Sequence, residues 1–180
     1  MDVINYDGEY GASSRFNARY NAENAFKPET AIGPWGSKTG AFPAKVWFKF
    51  KSNEHLNRIS FTSRRSHGSA GLVRQAPETF NVIASNDGKK WSTLLHVKSA
   101  GFSADGQTKA WDIACNNLFF KFVGIEVLKT QEGIKRNAAI TNITMWGVTQ
   151  GGMYVCMYVC MYVCMSCIQA RRIIVSGYSI

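Results

Sequence analysis

The 180-residue chain predicts an all-β fold, an antiparallel β-sandwich. Three observations carry that prediction. Short stretches of alternating apolar and polar residues recur from residue 44 to residue 148, which is the side-chain period of a pleated strand. Glycine-bearing connections separate these stretches at near-regular spacing. No long segment carries the apolar period of an amphipathic helix, and aromatic residues make up 13% of the chain, which favours sheet.

The clearest β grammar lies in residues 76–95. Pro77 ends what precedes it, because it lacks an N–H and restricts the residue before it. Phe80, Val82 and Ala84 then alternate with Thr79, Asn81 and Ile83. Asn86-Asp87-Gly88 reads as a turn, since Asn and Asp bond their own backbone and glycine takes a positive φ at little cost. Trp91, Leu94 and Leu95 resume the apolar pattern, so a hairpin is expected with its register fixed.

Taken in order, residues 1–30 read as loop-rich, with Asn21–Phe26 as one helical turn or a tight loop. Residues 31–43 read as a long glycine- and proline-rich loop around Trp35. Two strands follow, one with Val46, Phe48 and Phe50 on one face and one with Ile59 and Phe61. A second long loop runs from Arg64 to Gln75, ahead of the hairpin. Gly101–Gln107 reads as a loop leading to a strand with Trp111 and Ile113. Leu118–Leu128 is a long β-rich run, with Gly124 read as a bulge or bend. A polar, basic loop over 130–137 precedes a closing strand through Ile140, Ile143 and Met145-Trp146-Gly147-Val148.

The organisation expected is one domain over 1–150 and a low-complexity tail over 151–180. In the tail Met-Tyr-Val-Cys occurs three times in succession from Met153. Translation of a repeated tetranucleotide gives that peptide, so the tail reads as translated simple-sequence DNA. Its apolar run is shorter than the roughly 20 residues a bilayer needs. Its cysteine spacing matches no standard zinc finger.

The formal charge is +9, with basic residues scattered rather than clustered. That balance suits an acidic partner such as a sulfated or sialylated glycan or an anionic lipid head group. No nucleic-acid-binding signature accompanies it, so nucleic acid is not expected. Cys115 is the single cysteine before the tail, and the N-terminus shows neither the basic nor the apolar region of a secretory signal.

Residues from about 10 to 148 resemble the F5/8 type C (discoidin) family of galactose-binding-like jelly rolls. Ala12-Ser13-Ser14, Asn24-Ala25-Phe26 and Trp35-Gly36-Ser37 resemble the family's opening motifs. Residues 42–50 and 59–64 resemble its next two strands, and Thr141–Gly147 its closing strand. Pro77–Trp91 resembles the most specific motif, P-x-x-F-x-V-x-x-S-x-D-G-x-x-W. The resemblance implies an eight-stranded antiparallel jelly-roll β-sandwich with its ligand site on loops at one end, followed here by a non-family C-terminal tail. It implies a mostly extracellular setting. The missing signal and lone Cys115 point instead to the cytoplasm or to an incomplete gene model.

The resemblance also implies a non-catalytic binding module, in cell adhesion or recognition, with a glycan or glycoconjugate as the first expected partner. An anionic lipid surface and a protein receptor, bound inside the cell, are the alternatives. No enzyme activity is expected, because His55, His67 and His96 stand in no catalytic motif. The ligand-binding candidates are Arg64, Arg65, His67 and Arg74, with Trp35 or Phe42 supplying an aromatic face. Arginine offers a planar fork for carboxylates, phosphates and vicinal hydroxyls, and an aromatic ring packs on the C–H side of a sugar. The resemblance implies a calcium loop, but Lys27 and Asn142 stand where the family carries acidic residues. An ammonium repels a cation, so calcium is doubtful here; Asn24, Glu29 and Thr30 are the residues that remain to hold it.

Overall fold

The computed structural model describes residues 2–4, 6–27, 33–65, 71–114 and 118–149. The tail from residue 150 on lies outside the described residues, as does the expectation about its origin. Nine strands are described: β1 (Asp2–Val3), β2 (Gly8–Ala12), β3 (Trp35–Gly36), β4 (Ala44–Ser63), β5 (Pro77–Ser85), β6 (Ser92–Val97), β7 (Thr108–Asp112), β8 (Phe120–Thr130) and β9 (Ala139–Thr149). All their pairings are antiparallel.

Strand β4 organises the sandwich. Its first half pairs with β2 and β8, and its second half with β9 and β7. The register shifts between Lys49 and Glu54, and Glu54 stands opposite both Phe120 and Thr149. At this irregularity the strand leaves one layer and enters the other, as bulged strands do at sandwich corners. The sequence reads two strands here, whereas the structure has one bent strand of 20 residues. Layer one is therefore β2, β4, β8, β5 and β6, and layer two is β7, β4, β9, β1 and β3.

Alternate residues of both layers fill the interior. Phe48, Phe61, Phe80, Val82, Ile125, Ile143 and Met145 are buried. Phe61 and Phe80 meet across the layers with ring centroids 5.2 Å apart, and Trp111 stacks on Phe61 at 4.9 Å. Each such ring removed from water contributes roughly 2–3 kcal/mol. Tyr6 closes the side: its hydroxyl donates to the Ile143 carbonyl at 2.9 Å and accepts from the Met145 N–H at 2.8 Å.

The hairpin of β5 and β6 forms as the alternation predicts, with Gly88 at φ 69° in the turn. Three other readings change. The loop-rich N-terminus carries β1 and β2, and Trp35-Gly36 forms a strand on β9 rather than loop. Gly124 is no bulge. It stays in register between Trp47 and Ile83. A Cβ there would fall 2.3 Å from the Val46 carbonyl oxygen, so only glycine lets the strands approach. The irregularity in the closing strand falls at Asn142, at φ 50°, where the register with β4 shifts. Asparagine tolerates that left-handed conformation better than other non-glycine residues.

Candidate functional site

Both ends of β4 reach the same end of the sandwich, because the strand folds back between layers. Four loops gather there. The Gly106 N–H donates to the Arg64 carbonyl at 3.1 Å, and the Ser63 hydroxyl to the Ala104 carbonyl at 2.8 Å. The Gln131 and Glu132 N–H groups donate to the Ala76 and Arg74 carbonyls at 3.1 and 3.2 Å. The Ser37 N–H donates to the Ala138 carbonyl at 2.9 Å, which ties in the loop after β3. The opposite end carries the β4 corner and the hairpin turn.

Arg64 is the hub of the loop end. One guanidinium nitrogen donates to Gln75 Oε1 at 2.9 Å and another to the Tyr20 hydroxyl at 3.2 Å. The guanidinium also lies 5.4 Å from the Tyr20 ring centroid. Gln75 in turn donates to Asn137 Oδ1 at 3.0 Å. Loops distant in sequence are thereby held by a partly buried network, in which the charged guanidinium strengthens the two bonds it donates. Gly36 leaves space for the Tyr20 ring, since a Cβ there would sit 3.3 Å from it. Phe16 packs edge-on against Tyr20 at 5.6 Å and stays 52% exposed.

The other sequence candidates fall in different places. Arg65 is exposed, with its side chain against Gly106. Arg74 is exposed and pairs with Glu132 at 3.4 Å, whose second oxygen meets Arg136 at 2.7 Å. Asp105 accepts the Val73 N–H, next to Arg74 in sequence. His67 lies outside the described residues. Phe42 is half-buried against the core, just ahead of β4. Trp35 is fully buried and its indole N–H donates to the Ser14 carbonyl at 3.1 Å, so its ring presents no face to a ligand. Pairing with Ile140 of β9 draws it inward. Sequence reasoning misses Phe16 and Tyr20. Their only signal is the interleaving of basic and aromatic residues in Arg15-Phe16-Asn17-Ala18-Arg19-Tyr20.

The described residues of the resemblance's calcium loop do not make a cation shell. The Asn24 amide donates to the Arg19 carbonyl at 2.6 Å and the Pro34 carbonyl at 3.3 Å, so it presents hydrogens there. Lys27 pairs with Glu23 at 3.2 Å and lies 5.1 Å from the Tyr10 ring centroid. The Tyr10 side chain, with Glu23 second, holds the lysine above its ordinary pKa. A divalent cation needs oxygen acceptors and is repelled by that ammonium. Among the described residues no group of three or more His, Cys, Asp or Glu side chains is placed to hold a metal ion. Glu29 and Thr30 lie outside the described residues. His55 is buried in β4 at the opposite end, and His96 is exposed on β6, 2.6 Å from Asn81 Oδ1.

A family model for the F5/8 type C domain matches residues 9–145. The chain belongs to the F5/8 type C domain family. Among curated proteins, none matches the chain. The fold recurs in solved structures of low sequence identity. An F5/8 type C domain from Bacteroides fragilis is 14% identical with a TM-score of 0.63, over 82% of this chain and 96% of that one. Chitosan-binding module 1, derived from a chitosanase/glucanase of Paenibacillus sp. IK-5, is 17% identical with a TM-score of 0.59, over 82% and 100%. A CBM32 module from Clostridium perfringens, in complex with GalNAc-β-1,3-galactose, is 14% identical with a TM-score of 0.58, over 77% and 94%. These likenesses establish the domain's fold as the discoidin-type β-sandwich.

Proposed function

We propose that this F5/8 type C domain is a non-catalytic carbohydrate-binding module whose ligand sits on the loop end. The single observation that carries the reading is the Arg64 guanidinium, locked between Gln75 and Tyr20, with the exposed Phe16 ring packed edge-on against Tyr20. Fixed donors next to an aromatic face suit a sugar, whose hydroxyls accept hydrogen bonds while its C–H side packs on the ring. Such pre-ordering lowers the entropy lost on binding. Arg65, Arg74 and Phe42 stand at the same end as secondary contacts, and the glycan-binding modules of this fold support the same reading. A role in adhesion or recognition at a cell surface is part of the same proposal.

A glycan array probed with the domain tests this. Binding of defined oligosaccharides, weakened by Phe16→Ala and Arg65→Ala without loss of fold, is expected. No retained glycan on a broad array removes the reading.

One observation favours a second reading, anionic membrane binding. Ile134 is 60% exposed at the tip of the 131–138 loop, followed by Lys135 and Arg136. An apolar tip above basic residues is what a lipid surface selects. Phe42 and Val73, which could otherwise insert, are half-buried against the core. Pelleting with phosphatidylserine vesicles at low and high salt decides it: no pelleting at low salt excludes the reading.

A further inference from the structure

We propose that the ligand of the loop end is an acidic glycan, a deepening that rests on the carbohydrate-binding reading above. The described loop residues of 64–65, 71–76, 102–107 and 131–138 carry Arg64, Arg65, Arg74, Lys135 and Arg136 against Asp105 and Glu132. Both acids are already engaged. Asp105 accepts the Val73 N–H, and Glu132 divides its two oxygens between Arg74 and Arg136. Arg65 and Lys135 have no hydrogen-bond or ion-pair partner among the described residues. Among the described residues, the loop end therefore holds a surplus of positive charge, five cations against two acids.

The kinds of cation matter as much as their number. Arg64 is held by neutral partners, Gln75 Oε1 and the Tyr20 hydroxyl, so its full charge remains. A guanidinium fixed on neutral acceptors keeps an electrostatic field that a carboxylate or sulfate on the ligand can meet. The Arg65 side chain stands beside Arg64 in sequence and lies against Gly106, where the missing side chain lets its stem pack close. The same field repels a polycation such as chitosan, even though the fold is shared with a module that binds it. Lys45, Lys49 and Lys51, by contrast, are each paired with an acid of the chain, Glu126, Glu9 and Asp7 respectively.

The test compares an oligogalacturonate with its fully methyl-esterified form, and a sulfated oligosaccharide with its desulfated form, by calorimetric titration of the whole domain. One additional charge-assisted hydrogen bond predicts about tenfold tighter binding of the acidic member of a pair. The affinity should fall as salt rises from low to physiological strength. Arg65→Glu should abolish the preference, whereas Lys89→Glu in the distant hairpin turn should leave it in place. Preference in either pair upholds the proposal, and the pair that shows it identifies the anionic group. Equal binding of charged and neutral members overturns the acidic inference while leaving the carbohydrate reading intact. Loss of the preference in Lys89→Glu as large as in Arg65→Glu also overturns it, because the effect is then net charge and not a site. No binding of any of the four probes, nor of any array glycan, overturns both.

Discussion

The two ends of the sandwich use polar side chains in opposite ways. In the hairpin turn, the Ser85 hydroxyl accepts the Gly88 N–H at 2.9 Å, and Asp87 Oδ1 accepts the Lys89 and Lys90 N–H groups at 2.8 Å each. Every one of these bonds spans three residues or fewer, and all of them serve the turn itself. At the loop end, Arg64 reaches Tyr20 and Gln75, and Gln75 reaches Asn137, so the polar groups join separate loops. One end is built mainly from its own residues, although Asn86 Oδ1 also accepts the Lys121 N–H of β8 at 2.9 Å. The other is a platform assembled from distant parts. The difference sets a locally bonded turn apart from the end on which we propose that the ligand sits.

Substitutions at the two ends should break that comparison in graded ways. The largest effect is expected at the base of the platform. Trp35→Ala removes a fully buried ring and should cost about 3–5 kcal/mol in chemical denaturation. It should lower ligand affinity only through unfolding. Arg64→Ala comes next. Loss of its charged hydrogen bonds should cost about 2 kcal/mol, and a double-mutant cycle with Tyr20→Phe should show coupling between the pair. Tyr20→Phe keeps the ring under the guanidinium, so part of the interaction should survive.

Asp87→Asn tests the hairpin turn. The Lys90 N–H first, then that of Lys89, holds the Asp87 carboxyl below its ordinary pKa. A lowered folded-state value means that the ionised carboxylate contributes stability above the unfolded-state pKa. That contribution disappears as pH falls through the folded-state value. Wild type should therefore melt higher than Asp87→Asn at neutral pH, and the two melting curves should converge in acid. Glycan affinity should be unchanged. The smallest effect on stability belongs to Arg65→Ala, expected within about 0.5 kcal/mol of wild type because the side chain is exposed. Its effect on acidic-glycan affinity should nevertheless exceed that of Asp87→Asn.

The same contrast explains what the sequence discloses. The hairpin is legible because its alternation and its turn bonds lie within a few residues of each other. The family motifs point to the jelly roll because they report backbone geometry at strands and turns. The bend of β4 is not legible: residues 44–63 continue as one strand only because β8 and β9 supply partners from residues 120 and beyond. Trp35 reads as part of a loop for the same reason, since its strand partner Ile140 lies more than a hundred residues away. At the site, charge alone nominates Arg64, Arg65 and Arg74. Tyr20, Gln75 and Asn137 cannot be matched to Arg64 without the fold, and Phe16 becomes a candidate only through its exposure. Gly124 misleads because a strand glycine reads the same whether it kinks the backbone or clears room for a neighbour.

The most direct measurement is a heteronuclear NMR titration of the domain with an oligogalacturonate, following backbone amides at both ends. Progressive shifts are expected in residues 16–20, 64–65, 74–75, 104–107 and 131–137, with the amides of 86–91 unmoved. Shifts centred on 86–91 or on the outer face around Trp47 and Trp91, with the loop end silent, would contradict it.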